Sequence, residues 1–231
     1  MLHIISFSGG KDSAAMVLRM KELGMKIDKI LFGDTGLEYP EVYEYIKKFE
    51  KILGIKIEFI RAKYTFEERF YQKVTKGKRE GEIRGFPFTI TRGCWINRDL
   101  KLRPMQKIQN REDFVYLGIN YDEKHRIQKD PTRKIKNLKY PLIKWKWTGQ
   151  DCLNYLRNKD LVPPIYKMFK RTGCWLCPKQ TLLSLKLLYL YYPDLWKKLK
   201  KLEKDSPHAF KPNFSLEKFE KKIPNKLSDF L

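Results

Sequence analysis

The 231 residues carry 49 Lys+Arg against 27 Asp+Glu, a formal charge of +22, and 42% of them are hydrophobic. That apolar share suffices for a packed core and excludes a globally disordered chain, and the length suits one α/β domain with a smaller appended region. No apolar run reaches the length of a membrane span and no leader precedes the first apolar stretch, so a soluble, cytoplasmic protein without membrane contact is expected.

In chain order, Leu2 to Phe7 reads as a short apolar strand and Ala14 to Leu18 as the opening of a helix. Between them stands Ser8-Gly9-Gly10-Lys11-Asp12-Ser13. Strand, glycine turn and helix start make an anion site. The glycines let backbone approach a ligand with no Cβ in the way, and the first N–H groups of the helix point at it along a favourable dipole. Ser8 and Ser13 add hydroxyl donors, and Lys11 adds a point charge suited to phosphate oxygens. Asp12 would repel a bare phosphate, but it makes sense if a metal ion, usually Mg2+, bridges the two. A Walker loop would need glycine where this chain has Ile5, and the dinucleotide G-x-G-x-x-G fingerprint is absent.

The six residues match SGGxDS, and the sequence resembles the PP-loop ATP pyrophosphatases of the adenine nucleotide alpha-hydrolase superfamily. That resemblance implies cleavage of ATP between the α- and β-phosphates, giving adenylate and pyrophosphate. Ser8, Gly9, Gly10, Lys11, Asp12 and Ser13 would be its nucleotide-binding residues, with Lys11 and Asp12 serving catalysis.

The helix should end at Gly24. Lys29 to Phe32 reads as a second strand, Tyr39 to Leu53 as an amphipathic helix ended by Gly54, and Ile55 to Ile60 as a third strand. This β-α-β-α-β order predicts an α/β fold, a twisted parallel sheet with flanking helices, plus a small helical C-terminal region, and the resemblance implies that the sheet is of the HUP/PP-loop type. Ligands in such sheets sit at the carboxyl ends of the strands, so Asp34 in Gly33-Asp34-Thr35-Gly36 is expected near ribose, adenine or the metal. Residues 64–92 are basic, aromatic and poorly periodic, and Lys76 to Gly81 reads as a mobile loop.

Further on, Arg92-Gly93-Cys94-Trp95 and Arg98 to Pro104 resemble the W/GC-T-x-x-L-K-I-x-P stretch of the phosphoadenosine phosphosulfate reductase-like branch. Phe114 to Gly118 is a fourth strand. Gly118 to Arg126 is similar to that branch's G-I-R-x-x-E-S-x-R motif, with Asn120 where the family often has Arg. The resemblance implies nucleotide contacts from Gly118 and, in place of the missing arginine, Arg126. Tyr140 to Trp145 resembles Y-P-L-x-x-W, and a helix follows from Thr148 to Asn158 with Cys152 on its apolar side, a buried thiol rather than a ligand. A division at 145/146 is expected, with residues 1–145 as the PP-loop domain and 146–231 as the helical region. In the latter, Leu182, Leu185, Leu188, Leu195 and Trp196 give an apolar stripe, and Lys197 to Lys204 a basic face.

Cys174-x-x-Cys177 suits a metal or a disulfide. Cys94 lies in the stretch that the family places near its ATP site, and it is a candidate for sulfur chemistry. Together, Cys94, Cys174 and Cys177 would fit a [4Fe–4S] cluster with one open iron. A Zn2+ site would need Cys152 or a histidine as fourth ligand, and a redox pair of Cys174 with Cys177 is the third option. The reductases proper carry a Glu-Cys-Gly-Leu-His motif, and no cysteine follows Cys177. The layout is therefore closer to the family's sulfur-transferring members, the tRNA thiolation and DNA phosphorothioation enzymes.

Residues 1–60 hold nine Lys+Arg and nine Asp+Glu, so the whole +22 lies beyond them. A polyanionic partner, tRNA or DNA, would explain it; so would a lysine-rich thermophilic surface. The expectation is an adenylating sulfurtransferase-like enzyme, with a phosphoadenosine phosphosulfate reductase and a non-catalytic nucleotide- or nucleic-acid-binding module as alternatives. Oligomeric state stays open, a homodimer being one option.

Overall fold

Strand β1 (His3–Phe7) lies at the centre of a five-stranded parallel sheet with β2 (Lys29–Gly33), β3 (Ile57–Ile60), β4 (Phe114–Leu117) and β5 (Leu138–Lys139), in the order β3-β2-β1-β4-β5. The computed structural model describes residues 1–87, 93–129 and 137–223; Arg92 and the tail beyond 223 lie outside them. The helices are α1 (Lys11–Glu22), α2 (Pro40–Leu53), α3 (Phe66–Tyr71), α4 (Arg103–Ile108), α5 (Pro141–Lys144), α6 (Gly149–Arg157), α7 (Leu182–Tyr191), α8 (Pro193–Asp205) and α9 (Leu216–Glu220).

These residues divide into two compact units: residues 1–63 with 97–172, and residues 64–96 with 173–231. The boundary expected at 145/146 is not where the chain divides. Helix α6 packs on α1, which ties residues after 146 to the sheet. Phe86 packs edge-on against Phe210 at 5.2 Å, which ties the 64–96 segment to the C-terminal helices.

In the first unit, β1 and β2 bury Ile4, Ile5, Phe7, Ile30, Leu31 and Phe32, the continuous apolar run of strands covered on both faces. Helix α1 buries Ala14, Ala15, Met16, Val17 and Met20, so it is enclosed on nearly every side, and its small Ala14 and Ala15 permit close approach. Gly24, at φ +63°, follows its last turn in the left-handed conformation that ends helices. Helix α2 buries Val42, Tyr45, Ile46, Phe49 and Leu53, one stripe at helical spacing, and Gly54 at φ +64° caps it. Thr148 and Asp151 cap α6 reciprocally, turning Cys152 and Leu156 inward.

In the second unit the 64–87 stretch is more ordered than its composition suggests. A Thr65–Glu68 capping box starts α3, and Lys73 and Ile83 bridge antiparallel. Arg79 pairs with Glu82 and donates to the carbonyls of Ile83 and Arg84, so it holds the excursion together. The core is aromatic: Phe66 stacks on Trp95 at 5.7 Å, and Phe70 meets Phe86 at 5.3 Å. Helix α8 buries Trp196, Leu199 and Leu202 and exposes Lys197, Lys201 and Lys204 on its opposite face.

Candidate functional site

The strand order places a switch point at β1/β4: from β1 the chain runs outward to β2 and β3, then returns on the other side to β4. Open parallel sheets bind ligands in the crevice outside the strand ends at such a point. Ser8–Ser13 follows β1 there, and Gly118 follows β4.

The loop is held by its own hydroxyls. Ser8 Oγ and Ser13 Oγ lie 2.9 Å apart; Ser13 Oγ accepts from the Ser8 N–H at 3.2 Å and donates to the Gly10 carbonyl at 3.0 Å. Gly9 takes φ +71°, a left-handed conformation, and an added Cβ there would sit 2.8 Å from Val42. Gly10 caps α1 in extended conformation without a side-chain cap, so the first turn keeps donors for a ligand. Gly118 packs directly on the loop: an added Cβ would lie 2.8 Å from Ser13 Cα and 2.9 Å from its N. The bare strand end lets the loop seat against β4.

Lys11 Nζ donates to Asp12 Oδ1 at 2.6 Å. It leans on Gly149, where an added Cβ would stand 2.8 Å from Nζ and 3.1 Å from Asn120 Nδ2. Asn120 is 5% exposed and accepts the Glu123 N–H, while Asp122 accepts the Gly149 N–H. Asn120 thus stands beside Lys11, whereas Arg126 pairs with Glu123 at 2.6 Å on an exposed 3-10 helix (Tyr121–Lys129). The Cys152 thiol is fully buried near the charges of Asp12 and Lys11, and burial pushes it up, out of the reactive range. Cys152 is therefore the buried thiol that its place on the apolar side of α6 leads one to expect.

Asp34 stands at the carboxyl end of β2 as expected. Its carboxylate accepts from Arg61 Nε at 2.7 Å, Tyr43 Oη at 2.8 Å and the Gly36 N–H at 2.9 Å. It fixes the turn with the chain's own donors, and Arg61 is raised by that hydrogen bond. Glu38 lies nearby, 8% exposed, its acid raised by burial and countered by the Lys101 charge. Lys101 was legible as the lysine of the L-K stretch but not as a site residue. Its stem crosses Gly33, whose added Cβ would meet Lys101 Cγ at 2.7 Å, and its ammonium lies 5.9 Å over the Phe32 ring. Tyr166 and Thr172 carried no motif signal either. Only the fold brings them to the loop.

The three remaining thiols, Cys94, Cys174 and Cys177, all belong to the second unit, partly exposed and outside any disulfide. Buried Trp175 and Leu176 anchor the Cys174–Cys177 turn, in which the Cys177 N–H donates to the Cys174 carbonyl at 3.1 Å. Lys211, lowered by partial burial, donates to the Gln180 carbonyl with Cys177 close by. Cys94 is set by Trp95, whose indole N–H donates to the Gly85 carbonyl at 3.1 Å. Among the described residues, no group of three or more His, Cys, Asp or Glu is placed to hold a metal ion. That holds for the expected trio of Cys94, Cys174 and Cys177 as well.

The profile of the phosphoadenosine phosphosulfate reductase domain matches residues 3–180. The chain belongs to that family. Two uncharacterized proteins of Methanocaldococcus jannaschii are similar to it, at 31% identity over 207 residues and 26% over 203. Each match covers 84% of this chain but only 40% and 45% of the relative, so the chain spans less than half their length. Among solved structures, the phosphoadenylyl-sulfate reductase from Candida auris in complex with phosphate aligns with a TM-score of 0.53 at 15% identity, over 76% of this chain and 82% of that one. This agrees with the α/β fold. No described helix is long and apolar enough to cross a membrane.

Proposed function

We propose that this family member is an ATP-using enzyme that adenylates an acceptor and releases pyrophosphate. The observation that carries the reading is the Ser8–Ser13 loop. Its first helical turn is not capped by its own side chains, and Lys11 and Asp12 stand side by side at the sheet's switch point. An acceptor oxygen attacks the α-phosphorus, the bond to the α–β bridging oxygen breaks, and pyrophosphate leaves with the electron pair. Loop N–H groups and Lys11 stabilise that departing charge, the electrostatic work that dominates such transfers. Asp12, held beside Lys11, fits Mg2+, which would neutralise the phosphate oxygens.

In this reading a hydrosulfide then attacks the activated acceptor, the bond to the adenylate oxygen breaks and AMP leaves with the electron pair, with Cys94, Cys174 and Cys177 as the sulfur-handling groups. It routes no step through an iron–sulfur cluster, because the thiols are not set as its ligands. The charge beyond residue 60 and the exposed Lys197, Lys201 and Lys204 of α8 support a nucleic-acid acceptor.

The test is pyrophosphate release from ATP with total tRNA, DNA or neither, in wild type, Lys11→Ala and Asp12→Ala. Nucleic acid should stimulate the wild type, and each substitution should lower the rate by about 10²-fold or more with the melting temperature retained. Wild-type rates in both variants would overturn the reading.

A further inference from the structure

Lys11 opens α1, and its backbone N–H is one of the donors expected to face phosphate. Here it already has a partner from 155 positions away in the chain: it donates to the Tyr166 hydroxyl at 3.2 Å. Tyr166 lies on a 3-10 turn (Pro164–Lys167) whose Ile165 is fully buried and which packs on α2. The double proline, Pro163-Pro164, stiffens its entry. The Thr172 hydroxyl faces the same loop residue, and burial raises the Tyr166 phenol and so keeps it protonated.

A glycine shows how tightly these groups converge. A Cβ added to Gly10 would lie 2.8 Å from Thr172 Oγ1, 3.2 Å from Tyr166 Oη and 3.3 Å from Ser8 Oγ. Three hydroxyl oxygens therefore crowd one loop residue at the mouth of a helix N-terminus. A hydroxyl both donates and accepts, and its hydrogen rotates to suit the partner. In this structure the Tyr166 oxygen accepts the Lys11 amide hydrogen. A phosphate oxygen is a stronger acceptor for that amide, and it leaves the tyrosine hydrogen free to turn toward the same oxygen.

We propose that Tyr166 and Thr172 are binding residues for the pyrophosphate end of the nucleotide, donating their hydroxyl hydrogens to its phosphate oxygens. This rests on the PP-loop reading above and adds two residues from a distant segment to its anion site. Neither residue needs to change charge, and neither acts on the α-phosphate chemistry directly.

The test is calorimetric titration of the full chain with inorganic pyrophosphate, ATP and AMP, each with Mg2+, in wild type, Tyr166→Phe and Thr172→Val. Tyr166→Phe should weaken pyrophosphate and ATP about ten- to hundred-fold, the range for a hydrogen bond to a charged group, and Thr172→Val several-fold. AMP affinity should stay within about two-fold in both, because AMP lacks the group contacted. A purely structural role would weaken all three ligands together. Unchanged or tighter pyrophosphate binding in Tyr166→Phe overturns the inference; tighter binding would make the hydroxyl a competitor of the anion. If Tyr166→Phe loses its melting transition, Thr172→Val alone decides. A wild type that binds neither pyrophosphate nor ATP would instead overturn the PP-loop reading itself.

Discussion

The two units are built on different principles. The first is a run of strand–turn–helix repeats in which neighbours in sequence are neighbours in space: β1, α1, β2, α2 and β3 follow one another without interruption. The second joins two segments that flank the end of the first, and rings hold it: Phe66 on Trp95, Phe70 on Phe86, Phe86 on Phe210, Trp196 near Phe219. A sheet with a buried glycine loop tolerates little change in shape at its crowded points. A helical unit with an aromatic core leaves its turns more open. The same contrast runs through the candidate chemistry, since the Ser8–Ser13 loop lies in the first unit and the three partly exposed thiols lie in the second.

The largest expected effect breaks this comparison at glycine. Gly118→Ala would press a methyl group to 2.8 Å from backbone of Ser13, which cannot give way without moving the loop. It should cost about 1–3 kcal/mol or more and weaken ATP binding. Gly173→Ala, with nothing within 4 Å of the added Cβ, should stay within about 0.5 kcal/mol. Denaturant unfolding of the two variants measures the difference. Equal costs would mean that the loops of the second unit are as constrained as the phosphate loop.

How legible each unit was follows from the same contrast. Ser8–Ser13, the apolar strands and the α2 stripe are local patterns, each complete within about 15 residues, and the structure places them as expected. The sequence also put Asp34 at a strand end, but it could not show that Arg61, Tyr43 and Gly36 would take up its carboxylate. Asn120 looked like a lost arginine, yet it stands beside Lys11, because the Gly149 contact depends on how α6 docks. Tyr166 and Thr172 approach Gly10 only through the fold. In the second unit α3 was missed, since six residues of Phe, Glu, Arg and Tyr give too short a period to read against a basic background. Arg79 looked like part of a loose basic loop, and instead it ties that loop to itself through Glu82 and two carbonyls.

A middle-sized effect concerns the cysteines. Alkylation of the native protein, followed by mass spectrometry, should label Cys94, Cys174 and Cys177 and leave Cys152 unlabelled until denaturant is added. Cys152 is fully buried and has its thiol pushed up by burial. Early labelling of Cys152 would mean that α6 opens from α1. Iron in anaerobically purified protein that is lost equally in Cys94→Ser, Cys174→Ser and Cys177→Ser would break the comparison more deeply. It would show that the separately anchored loops of the second unit close on a metal.

The smallest effect sharpens the comparison at the surface. Glu22, at the end of α1, pairs with Lys159 just beyond α6 at 2.6 Å and with Arg19 at 3.1 Å. The Lys159 hydrogen bond, with help from Tyr155 and Arg19, holds the Glu22 acid down to about 2 from 4.5. Its folded value lies below its unfolded one, so the stabilisation is present above about pH 4.5 and is lost as pH falls toward about 2. Both side chains are more than a third exposed, at 35% and 37%, so screening limits the pair to about 0.2–1 kcal/mol. Glu22→Gln should lower the melting temperature at neutral pH by at most about 2–4 °C, and the gap to wild type should narrow through the acid range. In the second unit Glu217 pairs with Lys221 along one exposed helix, and Glu217→Gln should shift the midpoint less, because that pair joins nothing but its own turn. A Glu22→Gln gap that persists unchanged below pH 3 would assign the effect to packing of α1 on α6 rather than to charge.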